Sequence, residues 1–112
     1  MKKVKEPLFD IIKPNINHQI IEGDSLIVLK SFEEGKFDLI ITSPPYNIGK
    51  SYETKTSIEE YLSTQESIIN ELVRTLSDRG SLCWQVGNYV EKGEVFPLDI
   101  YYYQIFKKHG LK

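Results

Sequence analysis

This sequence of 112 residues has a single cysteine, no long apolar run and no large excess of one charge sign. The single cysteine, Cys83, excludes an intrachain disulfide and suits a reducing compartment. No apolar run is long enough to cross a bilayer, and the lysine-bearing N-terminus lacks the apolar stretch of a signal peptide. We therefore expect a cytoplasmic protein. The formal net charge of −2 gives no general attraction to nucleic acid, so any such affinity must come from local patches or other segments.

Metal-ligand patterns, internal repeats and low-complexity segments are absent too. His18 and His109 have no partners at ligand spacing, so we expect no metal site. The composition, 40% hydrophobic and 27% charged, is typical of a globular chain rather than a disordered or membrane-bound one. The length suits one small domain or part of a larger one.

Strand and helix patterns alternate along the chain. We predict an irregular arm, broken by prolines, at residues 1–17 and a domain at residues 18–112. We predict strands at 18–22, 37–42 (buried on both faces) and 81–86, and a loop at 87–93. The predicted helices run from 26 to about 32, from a capping box at 57–60 to a stop at 78–80, and from Pro97 to Gly110. This alternation predicts an α/β fold with a parallel sheet.

The sequence Ser43-Pro44-Pro45-Tyr46 follows the second predicted strand. Each proline fixes its own φ, lacks an N–H and pushes the preceding residue toward an extended conformation. A backbone carbonyl and the Ser43 hydroxyl can therefore point together into a crevice, with the ring of Tyr46 beside them. Two acceptors next to a stacking face suit a planar group that carries an NH₂. The alternative is a plain strand-end turn with a packed tyrosine.

Ser43-Pro44-Pro45-Tyr46 resembles the catalytic motif of the amino-group DNA methyltransferases, which methylate adenine N6 or cytosine N4. Residues 38–42, 47–49 and 23–26 resemble the flanking segments of that family, and their order resembles its permuted class, in which the catalytic half comes first. The resemblance runs from about residue 18 to the C-terminus. It implies a partial Rossmann-like, S-adenosylmethionine-dependent methyltransferase fold, with three strands and three helices present and the central strands missing.

The resemblance also implies roles for individual residues. In the motif, which includes Pro45, the Ser43 side chain and the Pro44 carbonyl would accept hydrogen bonds from the amine and aim its lone pair at a methyl donor. Tyr46 would stack on a base swung out of the duplex, and Asn47 is a further substrate-binding candidate. Asp24 resembles the acidic residue that holds the adenine of S-adenosylmethionine. A helix N-cap is an equally good interpretation of Asp24, and one carboxylate can do both.

One part of the family pattern is missing. The cofactor site needs a turn of the type Phe-x-Gly-x-Gly, but no two glycines here are separated by a single residue. In the permuted class, that turn and the target-recognition region lie further toward the C-terminus. The strands at 18–22 and 37–42 would also be separated by two absent strands, which leaves backbone groups unpaired. We therefore expect a fragment, a split-gene half that needs a C-terminal partner, or a rearranged remnant.

The functional interpretation is the catalytic half of a site-specific DNA methyltransferase that uses S-adenosylmethionine, with DNA as its partner and the target base left open. One alternative is a protein glutamine-N5 methyltransferase, although that family carries Asn where Ser43 stands and is not permuted. Another is a non-catalytic remnant that only associates with a partner. A cytosine-C5 mechanism needs a nucleophilic cysteine, and Cys83 is instead predicted to be an inert core residue.

Overall fold

The computed structural model describes residues 18–48 and 55–112, so the predicted arm at 1–17 lies outside the described residues. The architecture is mixed α/β, as predicted. The elements in chain order are α1 (Ser25–Lys30), β1 (Phe37–Thr42), α2 (Ile58–Thr75), β2 (Leu76–Trp84), β3 (Tyr89–Glu91), β4 (Glu94–Phe96) and α3 (Leu98–Lys108). Within the described residues, no helix is both long and apolar enough to cross a membrane.

Strands β1 and β2 form a parallel pair, joined by α2 as a crossover helix. Ile41 pairs with Cys83 and Thr42 pairs with Trp84. The ladder continues past the strands, because the backbone N–H of Gln85 donates to the carbonyl of Thr42 at 2.9 Å. The carboxyl ends of both strands therefore meet at one edge of the sheet, where parallel α/β folds place their functional residues.

Within the described part of the chain, helices cover only one face of this sheet. Trp84, on the covered face, packs against α3, with its ring centroid 5.0 Å from that of Tyr102 and 5.7 Å from that of Phe106. On the opposite face Leu39 is 57% exposed and Ile41 is 71% exposed, and Cys83 beside them is exposed as well. The predictions that 37–42 is buried on both faces and that Cys83 is a core residue are therefore wrong. The periodicity of a strand shows which residues share a face, but not whether anything covers it.

Helix α2 supplies much of the core. Its N-terminus is capped as predicted, since the Ser57 hydroxyl accepts a hydrogen bond from the backbone N–H of Glu60 at 3.2 Å. Its buried stripe packs against Leu98 and Tyr102 of α3. The predicted stop at 78–80 is wrong, because the helix ends at Thr75 and residues 78–80 belong to β2. Leu76 continues the helical periodicity but pairs with Phe37, so strand pairing ends the helix earlier than the turn residues suggest.

Two further differences concern strands. Residues 18–22, predicted as a strand, are irregular and exposed; no strand of the described chain lies beside them to complete a ladder. The predicted loop at 87–93 instead contains β3 and the start of an antiparallel hairpin with β4. Its turn residues Lys92 and Gly93 have φ values of 51° and 79°, the two positive angles that a tight hairpin turn requires. Tyr89 stacks on Phe96 across this hairpin, with centroids 4.9 Å apart.

Arg74 of α2 fastens α1 to the body of the protein. Its guanidinium donates hydrogen bonds to the carbonyls of Leu29 and Phe32, both at 2.9 Å, and Glu71 holds it from the other side at 2.7 Å. The Leu29 carbonyl also accepts from the backbone N–H of Phe32 at 3.1 Å, so Arg74 adds a second, charged donor at the C-terminal end of the helix, where a cation is favourable.

We expect Arg74→Met to lower the free energy of unfolding by about 2 kcal/mol, because hydrogen bonds to a charged group are lost while the aliphatic stem is kept. Urea denaturation followed by circular dichroism measures the change. Arg79→Met, at an exposed position of β2, is the matched control and should leave stability nearly unchanged. Equal stability of the two variants would contradict the anchoring role of Arg74.

Glu66 links α2 to the end of α3. Its carboxylate lies 2.7 Å from Lys108 Nζ and 3.1 Å from His109 Nε2. Hydrogen bonds from Lys108 and then His109 hold the pKa of Glu66 below its ordinary value of 4.5. A carboxyl group with a lowered pKa stabilises the folded state above the unfolded-state pKa, and that contribution disappears as the pH falls through the folded-state pKa.

We therefore expect Glu66→Gln to flatten the loss of stability seen on acidification below about pH 4.5. Thermal unfolding of both proteins between pH 3 and pH 7 tests this. At pH 7 the variant should be the less stable, and the two curves should converge toward pH 3. Glu33→Gln, at an exposed loop position, is the control. Parallel curves for Glu66→Gln and the parent would show that this carboxylate does not contribute to the acid dependence.

Candidate active site

A pair of hydrogen-bonded tyrosines supports the Pro-Pro turn at the tip of β1. The Tyr61 hydroxyl donates to the carbonyl of Pro45, and it lies 2.5 Å from the hydroxyl of Tyr102. Burial, followed by the hydrogen bond to Tyr61, raises the pKa of Tyr102, so its hydroxyl stays protonated at ordinary pH. Helices α2 and α3 thus fix the backbone that follows β1. Neither tyrosine was predicted to support the site, because residues 61 and 102 meet only in the folded chain.

Ser43 and Tyr46 lie together at the surface end of this turn. Ser43 is exposed and Tyr46 is half-buried, and their hydroxyl oxygens are 3.4 Å apart. The tyrosine ring rests on the backbone of Gly87, where a methyl group would lie 3.4 Å from ring carbon Cε2. Gly87 follows β2, the parallel neighbour of β1, so the meeting of the two strand ends was the available sequence signal for this contact.

The two proline carbonyls differ in their hydrogen bonding. The Pro45 carbonyl accepts from Tyr61, whereas the Pro44 carbonyl accepts no hydrogen bond from any described residue. The Ser43 hydroxyl has only its 3.4 Å contact with Tyr46 in the described part of the chain. The Ser43 hydroxyl and the Pro44 carbonyl are therefore two adjacent acceptors at this strand tip that can each accept a further hydrogen bond.

Asn47 is buried, with 2% of its surface exposed, and has a positive φ of 61°. Its side-chain oxygen accepts from the backbone N–H of Thr56, and its side-chain nitrogen donates to the carbonyl of the same residue, both at 2.9 Å. The amide therefore fixes the two ends of the segment between them. This contact joins Asn47 to Thr56, and substrate binding by Asn47 stays a prediction.

Asp24 is the N-cap of α1. Its Oδ1 accepts from the backbone N–H of Leu26 at 2.9 Å and of Ile27 at 3.3 Å, which confirms the capping interpretation. The neighbouring Gly23 and Ser25 line a cleft of about 430 Å³ that extends to Ser43 and Pro44. Contact between Asp24 and a cofactor stays a prediction.

Gln65 is a member of this cleft that the sequence patterns did not indicate. It is 5% exposed and lies one helical turn after Tyr61, and its side-chain amide makes no hydrogen bond within the described residues. A polar residue on the buried stripe of an amphipathic helix was the available signal. Across residues 18–48 and 55–112, no three His, Cys, Asp or Glu side chains come together in a metal-binding group.

The family model of the N6/N4 DNA methylases matches residues 37–111, which is more than half of the chain. The chain belongs to this DNA methylase family. Its type II relatives include M.BglII of Bacillus subtilis, 41% identical over 100 residues, and M.ScaI of Streptomyces caespitosus, 45% identical over 82 residues. These matches cover 88% and 70% of this chain, but only 28% and 27% of the two relatives.

Solved structures agree with this assignment. TTHA0409 of Thermus thermophilus, described as a DNA modification methylase, matches with a TM-score of 0.68 and 32% identity, over 79% of this chain and 38% of that one. A structure of TTHA0409 complexed with S-adenosyl-L-methionine matches with a TM-score of 0.64 and 34% identity, over 79% of this chain and 39% of that one. This DNA methylase chain therefore has part of the S-adenosylmethionine-dependent methyltransferase fold, as predicted. It spans less than a third of the curated relatives described above.

Proposed function

We propose that this chain supplies the catalytic segment of a DNA methyltransferase that acts on the exocyclic amino group of adenine or cytosine. The observation that carries the proposal is the strand tip itself, where the Ser43 hydroxyl lies 3.4 Å from the Tyr46 hydroxyl and the Pro44 carbonyl accepts no hydrogen bond from any described residue. The motif stands at the carboxyl end of a parallel strand, the position where α/β enzymes bind their ligands.

The chemistry follows from the weakness of the nucleophile. The lone pair of an exocyclic amine is delocalised into the ring of the base. If Ser43 Oγ and the Pro44 carbonyl accept the two amine hydrogens, they draw the nitrogen toward a tetrahedral geometry and orient its lone pair. Tyr46, fixed against Gly87, supplies a stacking surface for a base that has left the duplex. Because the Pro45 carbonyl already accepts a hydrogen bond from Tyr61, the amine would donate to the Pro44 carbonyl instead.

S-adenosylmethionine would supply the electrophilic methyl group. The residues present fit one side of a site for it, because Gly23, Ser25 and Ser43 line one cleft that offers open space next to the strand tip. Asp24, whose Oδ1 caps α1, is the candidate for the cofactor's adenosine part. The rest of the site, including a glycine-rich turn, would come from a C-terminal half in cis or in trans. That half would also carry the target-recognition region.

A chimera tests the proposed function. This chain would replace the matching 28% of M.BglII, and the product would be incubated with methyl-labelled S-adenosylmethionine and plasmid DNA. We expect label in the DNA, and nucleoside mass spectrometry would then distinguish N6-methyladenine from N4-methylcytosine. Unmodified M.BglII is the positive control. A folded chimera that binds the cofactor but transfers no methyl group would favour the non-catalytic remnant.

A further inference from the structure

The backbone of the Ser-Pro-Pro-Tyr motif has one torsion angle that its prolines leave free. Each proline ring fixes φ of its own residue, and each proline restricts ψ of the residue before it. Between the Cα of Ser43 and the backbone nitrogen of Tyr46, only ψ of Pro45 is therefore unrestricted, because no proline follows it. This angle sets the direction of the Pro45 carbonyl and the path of the chain into Tyr46.

The Tyr61 hydroxyl holds the Pro45 carbonyl, and so it fixes the remaining angle. Tyr61 belongs to α2, is 5% exposed and donates to the carbonyl oxygen. One residue after Pro45, the ring of Tyr46 rests on Gly87. The turn is thus held at two points, by α2 and by the residue that follows the end of β2. In this arrangement the Ser43 hydroxyl lies 3.4 Å from the hydroxyl of Tyr46.

The hydrogen bonds of the two supporting tyrosines run in one direction. A carbonyl oxygen can only accept, so the single proton of the Tyr61 hydroxyl goes to Pro45. The Tyr61 oxygen, 2.5 Å from that of Tyr102, must then accept the proton of Tyr102. The ring of Trp84, with its centroid 5.0 Å from that of Tyr102, offers only an N–H donor and cannot take this proton. Burial, and then the hydrogen bond to Tyr61, raise the pKa of Tyr102, so it keeps the proton that it donates.

We propose that Tyr61 is a positioning residue for methyl transfer, which fixes ψ of Pro45 and thereby sets the ring of Tyr46 relative to the two acceptors before it. Tyr102 acts only through Tyr61, because it orders the Tyr61 hydroxyl. The inference rests on the proposed function, in which the target base stacks on Tyr46 while its amine donates to those acceptors. Displacement of a reacting group by about 1 Å can cost roughly 10²-fold in rate, so a turn with a free ψ angle would slow the transfer.

Tyr61→Phe and Tyr102→Phe separate positioning from stability in the M.BglII chimera. Each removes one buried hydroxyl, so urea denaturation should show similar losses of stability. Only Tyr61→Phe frees the Pro45 carbonyl, so we expect its single-turnover transfer rate at saturating DNA to fall about 10- to 100-fold. Tyr102→Phe leaves the donor to Pro45 in place and should lose only about threefold, because hydrogen bonds in a chain polarise one another. Tyr61 does not line the cleft proposed for S-adenosylmethionine, so cofactor affinity should be unchanged.

A double variant and an exposed tyrosine provide the controls. Because Tyr102 acts through Tyr61, the double variant Tyr61→Phe/Tyr102→Phe should transfer at the rate of Tyr61→Phe, within about twofold. Tyr103→Phe, at a position that is 63% exposed, should transfer like the parent chimera. A loss of rate that follows the loss of stability across the variants would show a purely structural role and overturn the proposal. Transfer by Tyr61→Phe at the parent rate would overturn it as well.

Nuclear magnetic resonance of this chain gives a second readout that needs no catalysis. Pro45 and Tyr46 form the only Pro-Tyr peptide of the sequence, so carbonyl-¹³C proline and ¹⁵N tyrosine give a single carbon–nitrogen correlation. A carbonyl carbon shifts downfield when its oxygen accepts a hydrogen bond. We therefore expect Tyr61→Phe to move the Pro45 resonance upfield and Tyr103→Phe to leave it in place. An unmoved resonance in Tyr61→Phe would contradict the contact on which the proposal depends.

The two measurements separate the positioning role of Tyr61 from the proposed function. A moved Pro45 resonance together with a parent chimera that transfers no methyl group would support the fixing of the turn and count against the enzymatic role. A parent chimera that transfers, with a Tyr61→Phe variant that transfers equally fast, would support the enzymatic role and remove the positioning role.

Discussion

Ser43→Ala is expected to lower the rate of methyl transfer by the chimera about 10²–10³-fold, the effect typical of removing one preorganised hydrogen-bonding group from a transition state. The hydroxyl is exposed and its one contact in the described chain is the 3.4 Å approach to Tyr46, so the fold should be unaffected. Single-turnover transfer with labelled cofactor measures the loss, with cofactor affinity unchanged.

Ser63→Ala, at an exposed position of α2, is the control for this experiment and should transfer at the parent rate. Tyr46→Phe keeps the stacking ring but removes the hydroxyl next to Ser43, so it should retain most of the activity. If Ser43→Ala transfers as fast as the parent, the hydroxyl does not orient the amine, and the proposed chemistry of the strand tip is wrong.

Tyr102→Ala is expected to have the largest effect on stability, lowering the free energy of unfolding by about 3–5 kcal/mol. Tyr102 is 1% exposed, packs against Trp84 and Phe106, and shares a hydrogen bond with Tyr61. Its loss leaves a cavity and removes one of the two hydroxyls that lie below the Pro-Pro turn. Urea denaturation gives the size of the effect.

The adjacent Tyr103 provides the matched control for Tyr102, since it has the same chemistry but is 63% exposed. Tyr103→Ala should cost less than about 1 kcal/mol. Tyr102→Phe separates the two contributions, because it keeps the ring and removes the hydroxyl; we expect about 1–2 kcal/mol for this change. Similar losses for Tyr102→Ala and Tyr103→Ala would contradict the core position of Tyr102.

The sequence patterns that were most informative are local. The apolar stripe and the serine cap predict α2, the apolar run predicts β1, and the motif stands at the strand end where it was expected. Each of these signals depends on residues within a few positions of one another. The prediction of a strand at 18–22 was wrong for the same reason. An apolar segment becomes a strand only when another strand lies beside it, and local sequence does not show this.

The parts of the site that could not be predicted depend on contacts between distant residues. Tyr61, Gly87 and Tyr102 support the motif from two helices and a neighbouring strand end, and nothing in their immediate sequence marks that role. The exposure of Cys83 has a similar origin. Its alternation with Trp84 was visible, but which face the helices would cover depended on the packing of the whole chain.

Trp84 makes the protein suitable for label-free spectroscopy. It is the only tryptophan in the sequence, its indole packs between two aromatic rings of α3, and it also borders the cleft beside Pro44. Its fluorescence should therefore shift to longer wavelength when the chain unfolds and water reaches the ring. Filling of the cleft should change the same emission in the folded state, so one optical signal can follow both events.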